Sequence, residues 1–557
     1  MYSPAPKVGS HAPAAPTFAA MPQMTWPRLL SQRRFPDQQL PPTSAAPVRG
    51  AFVQDYDRVV FSSAFRRLQR KTQVMPLPET DFVHTRLTHS LETAVVGRSL
   101  GRLAARHLLE ADGALAQQLP PESAAPIRGA FVADYDRVVF SSAFRRLQRK
   151  TQVMPLPETD FVHTRLTHSL ETAVVGRSLG RLAARHLLDA DGALAAQLPN
   201  LDQDCGDIVA AACLAHDIGN PPFGHSGEDA ISSYFGSAAA APYLAGLSAA
   251  EVADLQHFEG NAAGFRILTH TYAAHSTGTA GLGLTYATLG AFTKYPKPSV
   301  VAAGALVGGA SEKKYGHFQA ENGRFRHVAE ELGLIAKDGA AGFYHRHPLA
   351  FLVEAADDLC YRIIDFEDGL KLGLIAPETG LPLLKKMLGD PAGRVGSVQW
   401  HDWREELGYV RARLIGKLVG EVATLFARHA PAILRGEYDQ PLIKELACWH
   451  DLQEVQCLSI ERFYRSRPVL EIEAAGFEVL GGLLDAFLCA TFDADAGHRA
   501  RKLLDLVPDQ FRSVGPQAGA AAYEKILLLT DYVAGMTDQN ALSLYKTIKG
   551  IELPKGF

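Results

Sequence analysis

The stretch Leu214-Ala215-His216-Asp217-Ile218-Gly219-Asn220-Pro221-Pro222-Phe223-Gly224-His225-Ser226-Gly227-Glu228 decides how the chain is read. The apolar run Ile208 to Ala215 leading into it predicts a buried helix, and Gly219 followed by Pro221 and Pro222 stops that helix, since proline cannot continue its hydrogen bonds. His216 and Asp217 then fall at the helix end, where ligands can face a cleft, and His225 and Glu228 follow beyond the turn. Neutral imidazole and carboxylate are the groups that hold a divalent metal at neutral pH.

Two further helices supply partners. Leu166, Leu170, Val174, Leu179 and Leu182 recur near helical spacing, with Thr167 or Ser169 as the expected cap, which sets His168 in a first turn. Leu349 to Ile364 predicts a long buried helix on which Asp357, Tyr361 and Asp365 follow at i, i+4 and i+8 and share one face. An acidic group in such a helix is costly to bury unless a metal or a cation pairs with it, so Asp357 is either a ligand or half of a buried salt bridge. His168, His216, Asp217 and Asp357 together suit an octahedral Mn²⁺ or Mg²⁺ better than a tetrahedral structural zinc, with Fe²⁺, Co²⁺ or Zn²⁺ as further options. Such a metal polarises phosphoryl oxygens, and the first expectation is a phosphohydrolase. The Gly- and Ala-rich segments around Lys294-Tyr295 and before Lys313-Lys314 suit a loop that closes on phosphate, or a solvated charged loop.

Self-alignment shows that Ser44 to Pro120 returns as Ser123 to Pro199, with changes only at Val48/Ile127, Gln54/Ala133, Glu110/Asp189 and Gln117/Ala196. Two long copies and no later repeat argue for a recent duplication, or an error in the recorded sequence, and against a solenoid. His89 is the duplicate of His168, with identical neighbours. Loop entropy separates the two by only about 1 kcal/mol. Copy 2 is preferred because it connects directly to the His216-Asp217 helix; copy 1 is then a surplus appendage, docked, mobile or exchanged with a neighbouring subunit.

The 557 residues have ordinary globular hydrophobic and charged fractions, and a net charge of −4 gives no basic field for nucleic acid. Cysteines at 205, 213, 360, 448, 457 and 489 show no CxxC spacing, as expected of reduced thiols in the cytoplasm. No apolar run reads as long enough to span a bilayer, and no membrane association is expected. Residues 1 to 23, rich in Ala and Pro, read as a disordered tail, with an organellar presequence as the alternative. The expected organisation is all-α: 1–43 as tail and short packing segment, 44–122 as the surplus copy, 123–390 as the catalytic core, and 391–557 as a C-terminal helical region acting as cap or oligomer surface.

His168, His216-Asp217 and Asp357 resemble the metal ligands of the HD-domain phosphohydrolases, and the strings Phe140 to Arg177, Ala215 to Ile231, Phe258 to Arg266, Leu284 to Pro296 and Pro348 to Asp368 resemble their deoxynucleoside triphosphate triphosphohydrolase branch, the dGTPase-like enzymes. The resemblance implies a helical HD core and hydrolysis of a dNTP at the α-phosphorus to deoxynucleoside and inorganic triphosphate, serving dNTP pool control. It also implies a homo-oligomer and leaves room for a dNTP activator; single-stranded nucleic acid is not indicated. By motif position Gln152 is similar to the residue contacting the 3′-hydroxyl, Arg165 to a triphosphate contact, Tyr361 to the tyrosine under the deoxyribose and Asp365 to its sugar-binding partner. Lys294, Tyr295 and Lys314 or Lys313 resemble phosphate contacts, and Asn220 stands where one related branch has a phosphate-contacting histidine. His225 is the expected acid for the leaving 5′-oxygen, with Glu228 orienting it or positioning the attacking water. Alternative functions are an HD-type nucleotidase or phosphodiesterase, and a non-catalytic nucleotide-sensing regulator.

Overall fold

The computed structural model describes residues 51–71, 85–111, 129–150, 152, 163–271, 281–301, 306, 308–337, 342–389, 400–492, 497–512 and 521–552. The Ala- and Pro-rich tail expected at 1–23 lies outside them. Contacts divide the chain into residues 1–56 and a unit Asp57–Phe557. Of the first, only 51–56 are described, as the start of a helix Ala51–Val60; the core and the site lie in the second.

The architecture is all-α, and no strand occurs among the described residues, where only the isolated bridges Pro298 to His317 and Ala336 to Tyr344 form. The helices that position the site are α1 (Arg86–Ala111), α2 (Arg165–Ala190), α3 (Leu201–Ala215), α4 (His225–Phe235), α5 (Gly260–Thr269), α6 (Ala350–Lys371), α7 (Trp403–Leu434), α8 (Arg467–Phe492) and α9 (Ala522–Ala534). α1 and α2 are the same segment in copies 1 and 2.

α2 starts one residue after Thr164, whose side chain accepts from the Thr167 N–H while Thr167 returns a bond to the Thr164 backbone. Thr167 and Ser169, the expected caps, are therefore inside the helix: the reciprocal box satisfies two exposed N–H groups where a single cap would satisfy one. α2 crosses α3 at close range through glycine. A Cβ on Gly176 would lie 2.5 Å from Cys213 Sγ, and one on Gly180 would lie 2.5 Å from the Cys205 carbonyl oxygen. In copy 1 the same glycines, Gly97 and Gly101, would meet nothing within 4 Å. α6 runs seven residues past the expected Ile364 to Lys371, and its middle is buried on most sides.

Residues from 391 onward share the core with the residues before them. One apolar cluster joins Phe223, Ile231, Phe235, Leu255 and Phe258 to Leu480, Leu484 and Phe487 of α8 and to Ile526 and Leu527 of α9. α8 also corrects the reading that no apolar run is long enough to cross a bilayer, since an 18-residue stretch of this 26-residue helix reaches a mean hydropathy of 1.5. Its stripe Val479, Leu480, Leu483, Leu484, Phe487 and Leu488 is buried in this core, which explains the apolar composition without a membrane. Arg266, fully buried on α5, pins the same junction by pairing with Glu321 at 2.6 Å, Glu524 at 2.9 Å and Asp531 at 2.8 Å.

Candidate metal centre and catalytic cleft

α2, α3 and α6 bring His168, His216 and Asp357 to one point. His168 Nε2 is 3.2 Å and His216 Nε2 is 3.3 Å from Asp357 Oδ1, and the three potential ligand atoms lie within 4.8 Å of one another. His216 Nδ1 sits 2.6 Å from the Cys213 carbonyl oxygen and donates to it, so in the neutral ring the lone pair is on Nε2, which is buried and has no hydrogen-bond partner of good geometry. A buried imidazole lone pair aimed at a second imidazole and a carboxylate fits a divalent cation. His89 is exposed on α1, and among the described residues the cluster contains His168 in its place.

The electrostatics follow from this crowding. Burial works against the charge on His216, but Asp217 and Asp357 outweigh it and raise the imidazole pKa. Burial likewise opposes ionisation of Asp357, yet Lys294 and His216 hold its carboxyl well below the usual range; Lys294 Nζ is 2.5 Å from Asp357 Oδ2. Asp217 is not in the converging trio. Its Oδ2 accepts from Arg165 Nη1 at 2.8 Å, its Oδ1 accepts from the Asn220 amide, and burial is again outweighed, mainly by Arg165, so its pKa is depressed.

His225 begins α4 after an unusual turn. Phe223 and Gly224 both have φ of +64°, a strained conformation for phenylalanine. The Phe223 N–H bonds Asp538 Oδ1 at 3.0 Å and its ring is buried, which holds the turn. His225 Nδ1 lies 3.1 Å from Glu228 Oε2, and Glu228 Oε1 accepts from the Gly260 N–H at 2.9 Å. Gly260 leaves room for these side chains, since a Cβ would come within 2.3 Å of Asn220 Oδ1 and 2.6 Å of Glu228 Oε1 and displace both. The bond to Glu228 raises the His225 pKa against the effect of burial. Burial opposes charge on Glu228, but His225 and Lys314 outweigh it and lower its pKa. Lys314 Nζ stands 3.7 Å from Glu228 and 3.1 Å from Glu259, whereas Lys313 is exposed.

The remaining expected residues each have defined surroundings. Arg165 lies against Gly224, where a Cβ would meet its Nη2 at 2.8 Å. Tyr295 packs under Arg346, 5.8 Å from ring centroid to guanidinium. Tyr361 stacks on Tyr464 at 5.7 Å and 9°. Asp365 is buried, which pushes its carboxyl up to about 7, and its Oδ2 accepts from the Tyr464 hydroxyl at 3.5 Å. Gln152 is half-buried, its side-chain oxygen enclosed and unbonded.

Several residues escaped the sequence reading. Tyr464 closes a π-helical turn, Ile460–Tyr464, in the C-terminal region that shows no chemical cluster in sequence. His163 bridges Asp368 at 2.6 Å and Glu171 at 3.1 Å, tying the start of α2 to α6. Glu171 follows His168 and Asp368 follows Asp365 at i+3, a spacing that could have exposed them. Lys150 donates to the carbonyl oxygens of Asn220 at 2.6 Å and Ala534 at 2.9 Å, bracing the turn below the metal centre against the end of α9.

A model of the HD domain matches residues 165–271. The chain is 43% identical over 439 residues to a deoxyguanosinetriphosphate triphosphohydrolase-like protein of Synechocystis sp., across 76% of this chain and 95% of that one. It is 39% identical over 437 residues to a protein of the same name from Pseudomonas aeruginosa, across 77% and 95% respectively. It is 30% identical over 500 residues to a deoxyguanosinetriphosphate triphosphohydrolase of Yersinia pseudotuberculosis, across 76% and 95%.

Proposed function

This chain belongs to the deoxyguanosinetriphosphate triphosphohydrolase family of HD-domain enzymes, and from that premise we propose that it hydrolyses deoxynucleoside triphosphates at the α-phosphorus, releasing deoxynucleoside and intact inorganic triphosphate. The observation that carries the reading is the convergence of His168 and His216 on Asp357, beside the hydrogen-bonded pair His225 and Glu228. His168, His216 and Asp357 would hold a divalent metal, Mn²⁺ or Mg²⁺, with Asp217 adjoining. Such an ion, when bound, polarises a phosphoryl oxygen.

The chain's own groups do the rest. Water attacks the α-phosphorus, the bond from phosphorus to the 5′-oxygen breaks, and the leaving oxygen takes a proton. His225 supplies it: its hydrogen bond to Glu228 raises the imidazole pKa and so favours the protonated form that can donate. Glu228, anchored by the Gly260 N–H, orients His225 or positions the water. Arg165, Lys294 and Lys314 supply local positive charge to a chain with net charge −4, together with Tyr295 and Asn220 as phosphate contacts. Gln152, Tyr361 and Asp365 form the sugar side, with the Tyr361 ring excluding a 2′-hydroxyl. The proposal includes a cytoplasmic homo-oligomer serving dNTP pool control.

Incubation with each dNTP and NTP in Mn²⁺, followed by product separation, tests this. Deoxynucleoside and triphosphate from dNTPs are expected; monophosphate and pyrophosphate would overturn the reading.

A further inference from the structure

Two identical segments of one chain touch each other reciprocally. Thr85 of copy 1 donates through its hydroxyl to Gln148 Oε1 of copy 2 at 2.9 Å, and Thr164 of copy 2 donates to Gln69 Oε1 of copy 1 at 3.0 Å. Thr85 corresponds to Thr164 and Gln69 to Gln148, so the two bonds are one contact made twice with the partners exchanged. Both glutamines are buried. Charges also cross in both directions: Arg98 of copy 1 pairs with Asp136 of copy 2, and Arg145 of copy 2 lies 3.2 Å from Glu92 of copy 1. A contact in which residue i meets j and j meets i is the signature of a two-fold, self-complementary interface between identical subunits. Here it forms within a single chain.

We propose that the face of copy 2 carrying Gln148, Thr164 and Asp136 is a self-association surface for a second copy of this chain, and that copy 1 occupies it from within. The relatives are spanned to 95% of their length by 76% of this chain, which leaves about a quarter without a counterpart in them, more than one repeat. Along the first half of α1, Leu87, Leu91 and Val95 are buried, and Arg98 follows them against Asp136 of copy 2. Its outer face is open: Val96 and Leu100 are exposed where their equivalents Val175 and Leu179 are buried, and Leu103 is exposed where Leu182 is half-buried. Copy 1 therefore serves as a built-in stand-in for a second subunit's segment, and blocks the surface to a true partner.

Full-length chain carrying Thr85→Lys and Arg98→Glu weakens the docking of copy 1 and leaves every copy 2 side chain intact. The experiment reads mass by light scattering over a concentration series, and release of α1 by limited proteolysis. The expected result is early cleavage in α1 together with a doubling of mass relative to the parent chain, reversed to the parent mass by adding Gln148→Lys. Cleavage of α1 with unchanged mass overturns the proposal. Unchanged protection of α1 also overturns it, since the reciprocal contacts then do not seat copy 1. Thr85→Val with Arg98→Ala, read in the same way, replaces the charge-bearing pair should that chain fail to fold.

Discussion

The carbonyl oxygen of Cys205 lies so close to Gly180 that a Cβ there would be 2.5 Å away, and this approach lets α2 lie against α3 and hold His168 beside His216. Gly101, its twin in copy 1, has open space around it. Gly180→Ala is expected to destabilise the protein by about 1–3 kcal/mol through overpacking. Gly101→Ala should be neutral or stabilise by up to ~1 kcal/mol through helix propensity. Paired thermal melts check both, and equal effects would contradict the described packing.

Truncation of the two duplicate histidines should separate them further. His168→Ala is expected to lower hydrolysis by at least ~100-fold, the upper range for losing even an outer-shell partner of a metal ligand, and to weaken Mn²⁺ binding by calorimetry. His89→Ala should leave both near the parent values, because His89 is exposed. Loss of activity in His89→Ala would assign the site to copy 1.

The acid role of His225 has a defined pH signature. If His225 is the proposed acid, its protonated form is the active one; its bond to Glu228 raises the pKa, so the alkaline fall in activity is expected at a higher pH than for an unpaired imidazole. Glu228→Gln removes the carboxylate charge and should move that alkaline limb to lower pH. His225→Ala should cost about 10²–10⁴-fold in kcat. A limb that stays in place in Glu228→Gln would show that the pair does not set it.

Arg266 has no exposure and pairs with three carboxylates. Arg266→Ala leaves Glu321 and Asp531 buried without their cation, and is expected to cost about 3–5 kcal/mol. Chemical denaturation measures it, and a loss below 1 kcal/mol would show that solvent reaches the cluster.

Tyr464→Leu removes the ring stacked on Tyr361 and the hydroxyl facing Asp365. An aromatic pair contributes about 0.5–1.5 kcal/mol, so KM for a dNTP should rise roughly two- to tenfold. The expected kcat change is smaller, since Tyr464 lies on the proposed sugar side. A fall in kcat at constant KM would contradict that placement.

Much of the site was legible because its signals are local. Asp357, Tyr361 and Asp365 share a face by helical periodicity, and the glycine and prolines after Asp217 end α3 where proline and glycine chemistry requires. The expected α2 caps, Thr167 and Ser169, lie three and five residues past the actual one because all three side chains are competent caps, and only the reciprocal bonds select Thr164. Arg165 and Asn220 stand out as candidate phosphate contacts, but folding brings both onto Asp217.

By itself the sequence determined the all-α class, the ligand types and their order along the chain, since periodicity, capping and breaker residues act within a few turns. Tertiary structure alone decided which histidine joins His216, because His89 and His168 have the same neighbours in sequence and differ only in what packs on them. It likewise set Tyr464 against Asp365, Lys150 between the Asn220 and Ala534 carbonyls, and His163 between Asp368 and Glu171. Those contacts join residues up to hundreds of positions apart, and their energy exists only once the helices between them have packed.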